Sequence, residues 1–234
     1  MSIHVKKTNI LTLRAKKRRK IKTVLVTAYD IWQAQLADQA GVDAILVGDS
    51  LSQVMLGNDT TIPLTMDEAV HHTKSVVRGA ANTHVVSDMP FLSYNSNIDT
   101  TLRNAGRFLK EAGAQSVKLE GGHHICETVT SLVSCGIPVM GHIGLLPQSS
   151  NKFKLKGKNL IDKKKILEDA ISLSNSGVFA VVIECVVESL ARKITSTVPI
   201  PTIGIGASKY CDGQILVIDD MLGLSDFFPK FVKI

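Results

Sequence analysis

Aromatic residues are scarce in this chain: 5% of 234 residues, with a single tryptophan. They do not interleave with its basic runs, so a surface that stacks nucleic-acid bases is not expected. No apolar run reaches the roughly 20 residues that a bilayer-spanning helix needs. No charged start followed by an apolar centre marks a secretory signal. The four cysteines, Cys126, Cys135, Cys185 and Cys211, form no CxxC pair. Disulfides and zinc ligation are therefore not expected, and the thiols read as buried and reduced. Repeats, linkers and a second domain are also missing. Together these absences predict a cytoplasmic enzyme with no membrane or nucleic-acid partner.

Charge is present but unevenly placed within a net +6. Arg14 and Lys16 to Lys22 form one basic run, and Lys152, Lys154, Lys156 and Lys158 another, with Lys163 to Lys165 close behind. Such runs suit an anionic ligand or, more plainly, a solvated helix and a solvated loop. Residues 1–21 read as a basic N-terminal segment, with a short helix at Leu11 to Lys17 across the bottom of the domain. Residues 22–234 read as the catalytic domain.

Hydrophobic residues make up 44% of the chain and recur in short runs. Ile45-Leu46-Val47-Gly48-Asp49-Ser50 is the clearest: a buried strand that delivers a carboxylate at its end. Val85-Val86-Ser87-Asp88, Val117-Lys118-Leu119-Glu120, Val139-Met140-Gly141-His142 and Val181-Val182-Ile183-Glu184 repeat the arrangement. The runs predict strands at 22–28, 44–47, 84–87, 116–119, 139–143, 180–184, 201–204 and 215–218. Helical stretches alternate with them, among them Met66 to Gly79, entered through a capping box at Thr65 and Glu68. Eight such units favour a closed (β/α)8 TIM barrel with right-handed crossovers, whose strand ends converge on one mouth. The link between strands seven and eight is short, and the chain after strand eight is too short for a full last helix.

Asp49, Asp88 and Glu120 end three neighbouring strands. One carboxylate in such a place is usually a helix cap. Three together are hard oxygen ligands suited to Mg²⁺. Lys118 lies two residues before Glu120 and so faces the same side, the barrel interior, where a lysine needs a partner. It can hold a substrate carboxylate or form a structural ion pair. Glu184 ends strand six behind an apolar run, where desolvation would suit a general base. His142 can bind or orient an oxygen. Gly204-Ile205-Gly206-Ala207 is a weak phosphate-cradle signal. His71, His72, His123 and His124 lack metal-ligand spacing.

Several ordered stretches carry a resemblance. They are Leu25 to Asp30, Leu46 to Ser50, Asp88 to Phe91, Val117 to Gly122, Gly141 to Leu145 with Pro147 and Gln148, Glu184-Cys185, Ile203 to Ala207 and Asp212 to Val217. In these the chain closely resembles the ketopantoate hydroxymethyltransferase family, from about Lys22 to Lys233. The resemblance implies a TIM barrel that assembles as a homodecamer. It also implies transfer of a one-carbon unit from 5,10-methylenetetrahydrofolate to 3-methyl-2-oxobutanoate, giving 2-dehydropantoate in pantothenate biosynthesis. By the same resemblance Asp49 and Asp88 bind Mg²⁺, with Glu120 at or near it. Ser50 and Lys118 hold the keto acid, with Asp49, Asp88 and His142 also at the substrate, and Glu184 accepts the proton.

The chain departs from the family at Asn151 to Lys156, at Ser208, at Asp219 where a histidine is expected, and in lacking about thirty C-terminal residues. Two other readings are compatible with a barrel of this kind. One is a Mg²⁺-dependent 2-oxo acid lyase or mutase of the phosphoenolpyruvate mutase and isocitrate lyase group. The other is a truncated, non-catalytic paralogue. The first needs a cysteine-bearing catalytic loop after strand five, and none is found. The intact set of Asp49, Asp88, Lys118, Glu120 and Glu184 speaks against the second.

Overall fold

A computed structural model describes residues 7–150, 154–224 and 231–232. Its centre is a closed barrel of eight parallel strands in sequence order: β1 (Thr23–Thr27), β2 (Ala44–Val47), β3 (His84–Asp88), β4 (Ser116–Glu120), β5 (Val139–Gly144), β6 (Ala180–Glu184), β7 (Thr202–Ile205) and β8 (Gly213–Leu216). The helices are α1 (Ile10–Arg18), α2 (Ile31–Gln39), α3 (Leu51–Val54), α4 (Met66–Gly79), α5 (Ile98–Arg107), α6 (Cys126–Ser134), α7 (Leu160–Asn175), α8 (Glu188–Thr197) and α9 (Ile218–Leu222). This is the TIM barrel expected from the alternating pattern. None of the described helices is long and apolar enough to cross a membrane.

Period-two alternation along the strands makes two separate cores. Outward residues such as Ile45, Val85, Val117, Leu119, Val181 and Ile183 pack against the helices in one large cluster. Inward residues Leu25, Leu46, Val86, Met140, Val182, Ile203 and Ile215 fill the lower barrel in a second cluster. Leu13 of α1 belongs to the inner cluster, so the N-terminal helix plugs the bottom. Asn9 caps that helix, accepting from the backbone N–H groups of Leu11 and Thr12. Part of the first basic run has a structural task there. Lys16 pairs with Asp43, and Lys17 lies 2.7 Å from Asp212, which in turn accepts from the Thr202 backbone.

The expected capping box is present: Thr65 Oγ1 accepts the Glu68 N–H, and Glu68 accepts the Thr65 N–H. Strand ends agree with the sequence expectation to within one residue except at strand eight, and two local features add to it. The loop from Gly48 to Thr61 contains the one-turn helix α3. The helix beginning at Ile98 ends in a π turn over Phe108–Ala112. Strand eight lies at 213–216 rather than 215–218. Gly213 pairs with Thr23, whose carbonyl oxygen would lie 2.5 Å from any added Cβ, so a strand start there needs glycine. Ile218 instead opens α9. Between β7 and β8 the chain makes only turns, which accounts for the short link.

His84 opens β3 on the inner side at the barrel bottom. It is buried, with Nε2 2.9 Å from Ser116 Oγ, and it meets the Phe179 ring edge-on. Burial, reinforced by Lys7, pulls its pKa down to about 4. Below the ordinary value near 6.5 the unfolded imidazole takes up a proton that the folded one refuses, so stability is lost as pH falls. Denaturant unfolding at pH 7 and pH 5 should show that His84 removes about 2 kcal/mol over that interval. A His84→Met variant should lack this component. Identical pH dependence in the two proteins would refute it.

Candidate active site

The inner positions above the apolar layer are polar on five successive strands. Gly48 ends the pleat of β2 and hands over to Asp49. Asp88 closes β3, Glu120 closes β4, His142 sits in β5, and Glu184 closes β6. Register places Asp88 beside Lys118 and Glu120 beside His142. All six side chains are buried, and all line one cavity of about 800 Å³ at the C-terminal end of the barrel. The structure therefore brings together every residue expected from the sequence. Ser50 joins them on the rim, its Oγ 2.7 Å from the Tyr29 hydroxyl.

Lys118 Nζ donates to Asp88 Oδ1 at 2.7 Å and lies 3.8 Å from Glu120 Oε1. Burial alone would lower its pKa, but Asp88, Glu120 and Asp49 hold it above the usual lysine value. The lysine is thus a fixed cation among three carboxylates. One cation does not satisfy all three. Desolvation, then repulsion from Asp88 and Glu120, pushes the Asp49 pKa up to about 8. Asp88 is raised as well, by desolvation, with Lys118 opposing and Glu120 adding to the rise.

His142 spans two carboxylates. Nδ1 lies 3.2 Å from Glu120 Oε1, and Nε2 lies 3.2 Å from Glu184 Oε2. These are ion-pair contacts rather than aligned hydrogen bonds, because both ring nitrogens and Glu120 Oε1 are buried without a hydrogen-bond partner among the described residues. Burial and Lys118 disfavour a charged ring, yet the two carboxylates raise the His142 pKa to about 9. Glu120 is held low: burial raises its pKa, and His142 and Lys118 more than reverse that. An expected apolar setting for Glu184 is therefore incomplete, since an imidazolium faces its carboxylate.

The end of β6 is rigidly held. Cys185 has φ +47°, a left-handed conformation rare for a residue with a side chain. Its N–H donates to Ile205 O, and the Glu184 carbonyl accepts from Leu145 N–H, both at 2.9 Å. Gly144, with φ +98°, allows this approach: an added Cβ there would stand 2.3 Å from the Glu184 carbonyl oxygen. Backbone strain of this kind is stored where the surroundings over-determine it, here directly after the candidate base.

Gln148 and Tyr94 complete the site, and sequence reasoning assigned neither a role. Gln148 Nε2 donates to Asp49 Oδ2 and to the Met89 carbonyl, both at 3.0 Å, and its N–H donates to Glu120 Oε2 at 3.1 Å. The Tyr94 hydroxyl donates to Gln148 Oε1 at 2.9 Å and accepts the Glu120 N–H at 3.2 Å. Gln148 thus ties Asp49 to Glu120, the first through its side chain and the second through its backbone N–H. The only sequence signal was Pro147-Gln148 among the resembling stretches. Two weaker sequence signals form no site. His72 is bonded to the Tyr29 carbonyl, and Phe231 packs over Gly206, filling the space a phosphate would need at Gly204 to Ala207.

Mg²⁺ suits this donor set in a limited sense. No group of three His, Cys, Asp or Glu side chains among the described residues is arranged to grip one ion by itself. Yet Asp49 and Asp88 are adjacent hard-oxygen donors that repel each other, and Glu120 Oε1 is a buried acceptor without a hydrogen bond. Mg²⁺ commonly takes one or two carboxylates and completes its shell with water and substrate.

The ketopantoate hydroxymethyltransferase family model matches residues 7–234. The 3-methyl-2-oxobutanoate hydroxymethyltransferase of Syntrophomonas wolfei is 53% identical over 228 residues, 96% of this chain and 83% of that protein. The chain belongs to the ketopantoate hydroxymethyltransferase family. A further relative of the same name, from Moorella thermoacetica, is 53% identical over 94% of this chain and 84% of its own. Family membership makes the protein a transferase enzyme. Solved structures supply the fold independently. Phosphoenolpyruvate phosphomutase from Streptomyces platensis superposes with TM-score 0.68 at 15% identity, over 92% of this chain and 83% of that one. A 2,3-dimethylmalate lyase of the PEP mutase/isocitrate lyase superfamily gives 0.68 at 14%, over 93% and 83%.

Proposed function

We propose that this enzyme transfers a hydroxymethyl group from 5,10-methylenetetrahydrofolate to 3-methyl-2-oxobutanoate, forming 2-dehydropantoate for pantothenate biosynthesis. The observation that carries this reading is the division of the mouth. Asp49, Asp88 and Lys118 gather on one side, and Glu184 stands across from them on β6, backed by His142. Asp49 and Asp88, with Glu120 beside them, would hold Mg²⁺. When bound there, the ion supplies Lewis acidity to the carbonyl of a 2-oxo acid. Lys118 pairs with the substrate carboxylate, and Ser50 offers a hydroxyl beside it. Glu184 takes the C3 proton, and the electron pair left at C3 forms the bond to the donor's methylene carbon as that carbon's two bonds to folate nitrogens break. Water supplies the hydroxyl oxygen, the protons pass to the folate nitrogens, and tetrahydrofolate leaves. His142 keeps the Glu184 carboxylate aimed at C3.

Turnover of 3-methyl-2-oxobutanoate with methylenetetrahydrofolate, and its dependence on Mg²⁺, tests the assignment. No product in that assay, with turnover of a phosphonate or a 2-oxo acid cleavage substrate instead, would move the enzyme to the lyase and mutase group. Asp88→Asn offers a narrower check. It removes a charge but keeps the acceptor for Asp49 N–H, now 3.1 Å away. Mg²⁺ and keto acid affinity, read by calorimetry, should fall together in a variant that still folds, as a cooperative thermal melt shows. Unchanged affinity for both would place the metal elsewhere.

The family resemblance also leads us to propose a homo-oligomer in the cytoplasm. Trp32 and Leu36, one turn apart on α2, are 73% and 60% exposed, an apolar pair suited to burial against another copy. Of three phenylalanines near the chain's end that the sequence offers for such contacts, Phe231 instead packs over Gly206 at the cavity, while Phe227 and Phe228 lie outside the described residues, as do Asn151 to Phe153 of the departing loop. Sedimentation at micromolar concentration should show an assembly larger than one chain, and a monomer alone would contradict it.

A further inference from the structure

The cavity extends beyond the charged centre. It passes Thr27 and reaches the segment after β8, where Asp219, Leu224 and Phe231 line it together with Val54 from α3. Proton removal at C3 uses none of these residues. Asp219 is 8% exposed, and its Oδ2 is buried with no hydrogen-bond partner among the described residues. An ionised carboxylate accepts only, and a buried acceptor left without a donor is unfavourable. Desolvation, followed by the nearby charges of Asp220 and Asp30, raises its pKa. This lobe therefore disfavours another anion and favours a group rich in N–H donors.

Phe231 supplies the second element. Its ring lies so close to Gly206 that an added Cβ would come within 2.6 Å of it, and its other side borders the cavity. With Val54 and Leu224 it makes an apolar wall beside the buried Asp219 acceptor. Ligand sites built from apolar walls and a few placed polar groups fix orientation in this way. A flat heterocycle whose edge bears two parallel N–H donors fits such a lobe. The terminal carboxylate torsion is soft and two-fold, so either oxygen of Asp219 can turn toward the ligand.

We infer that this lobe binds the aminopyrimidinone edge of the one-carbon donor's pterin ring. Asp219 accepts from the ring N–H and the exocyclic amine, and Phe231 lies against the ring face. The inference rests on the folate-type donor of the reading above and adds the residue that recognises it. Tetrahydrofolate and its 2-desamino analogue, titrated by calorimetry into the whole protein, are the probes. The analogue keeps the ring and loses the exocyclic donor. A charge-assisted hydrogen bond predicts about 10- to 100-fold tighter binding of tetrahydrofolate. Asp219→Ala, which has no side-chain acceptor, should bind the two ligands with nearly equal affinity, with its melting temperature recorded alongside. A general structural loss would weaken both ligands and preserve their ratio, which would overturn the assignment. So would a ratio near one in the unchanged protein, a result that stands even if the variant fails to fold. Failure of the unchanged protein to bind tetrahydrofolate at all would overturn the donor reading as well.

Discussion

Glu184→Gln should slow exchange of the C3 proton of 3-methyl-2-oxobutanoate with deuterated solvent by about 10²–10⁴-fold, the usual contribution of a general base. The exchange needs no folate, so it isolates proton removal from carbon–carbon bond formation. Asp49, Asp88 and Glu120 crowd the opposite side with Lys118, and their charge is engaged there. Glu184 stands apart, with one ionic neighbour, His142, at 3.2 Å. Glutamine preserves the side-chain shape and the strained turn through Cys185 while removing basicity. Binding of the keto acid with Mg²⁺ should therefore persist. Near-normal exchange in the variant would assign the base elsewhere.

Much of this architecture was legible because parallel strands are buried on both faces and read as short apolar runs. The polar residue closing each run marked the mouth, and Asp49, Asp88, Lys118, Glu120, His142 and Glu184 all lie in one cavity. Partnerships across strands were less legible. That His142 faces both Glu120 and Glu184 depends on the register of β4, β5 and β6, which no local pattern encodes. Gln148 sits in an irregular loop after β5, and its contact with Asp49 joins residues far apart in sequence. The start of β8 was misplaced because glycine reads as a turn residue, whereas Gly213 is there for a close backbone approach. Asp219 stood out in sequence only as a departure; its unpaired oxygen required the fold.

Lys118→Met should have the largest effect on the fold itself. Lys118 is 3% exposed and is the lysine inside the ring of Asp49, Asp88 and Glu120, 2.7 Å from Asp88. Methionine matches its length and flexibility, so the packing change is small. Removing one member of a buried ion pair typically costs about 3–5 kcal/mol, because the remaining charge is left desolvated and unpaired. Here the carboxylates can escape by taking up protons. The Asp49 pKa is already pushed up to about 8 with the lysine present, and without it both Asp49 and Asp88 rise further. The folded state then binds more protons than the unfolded chain at pH values between the ordinary carboxylate range and those raised values. Its stability therefore falls as pH rises through that window. Denaturant unfolding should show the variant much closer to the unchanged protein at pH 5 than at pH 8. Mg²⁺ should restore part of the loss at pH 8 if it binds the folded carboxylates, by mass action. A deficit independent of pH would mean that Lys118 supports the barrel by packing alone and that the three carboxylates are not coupled through it.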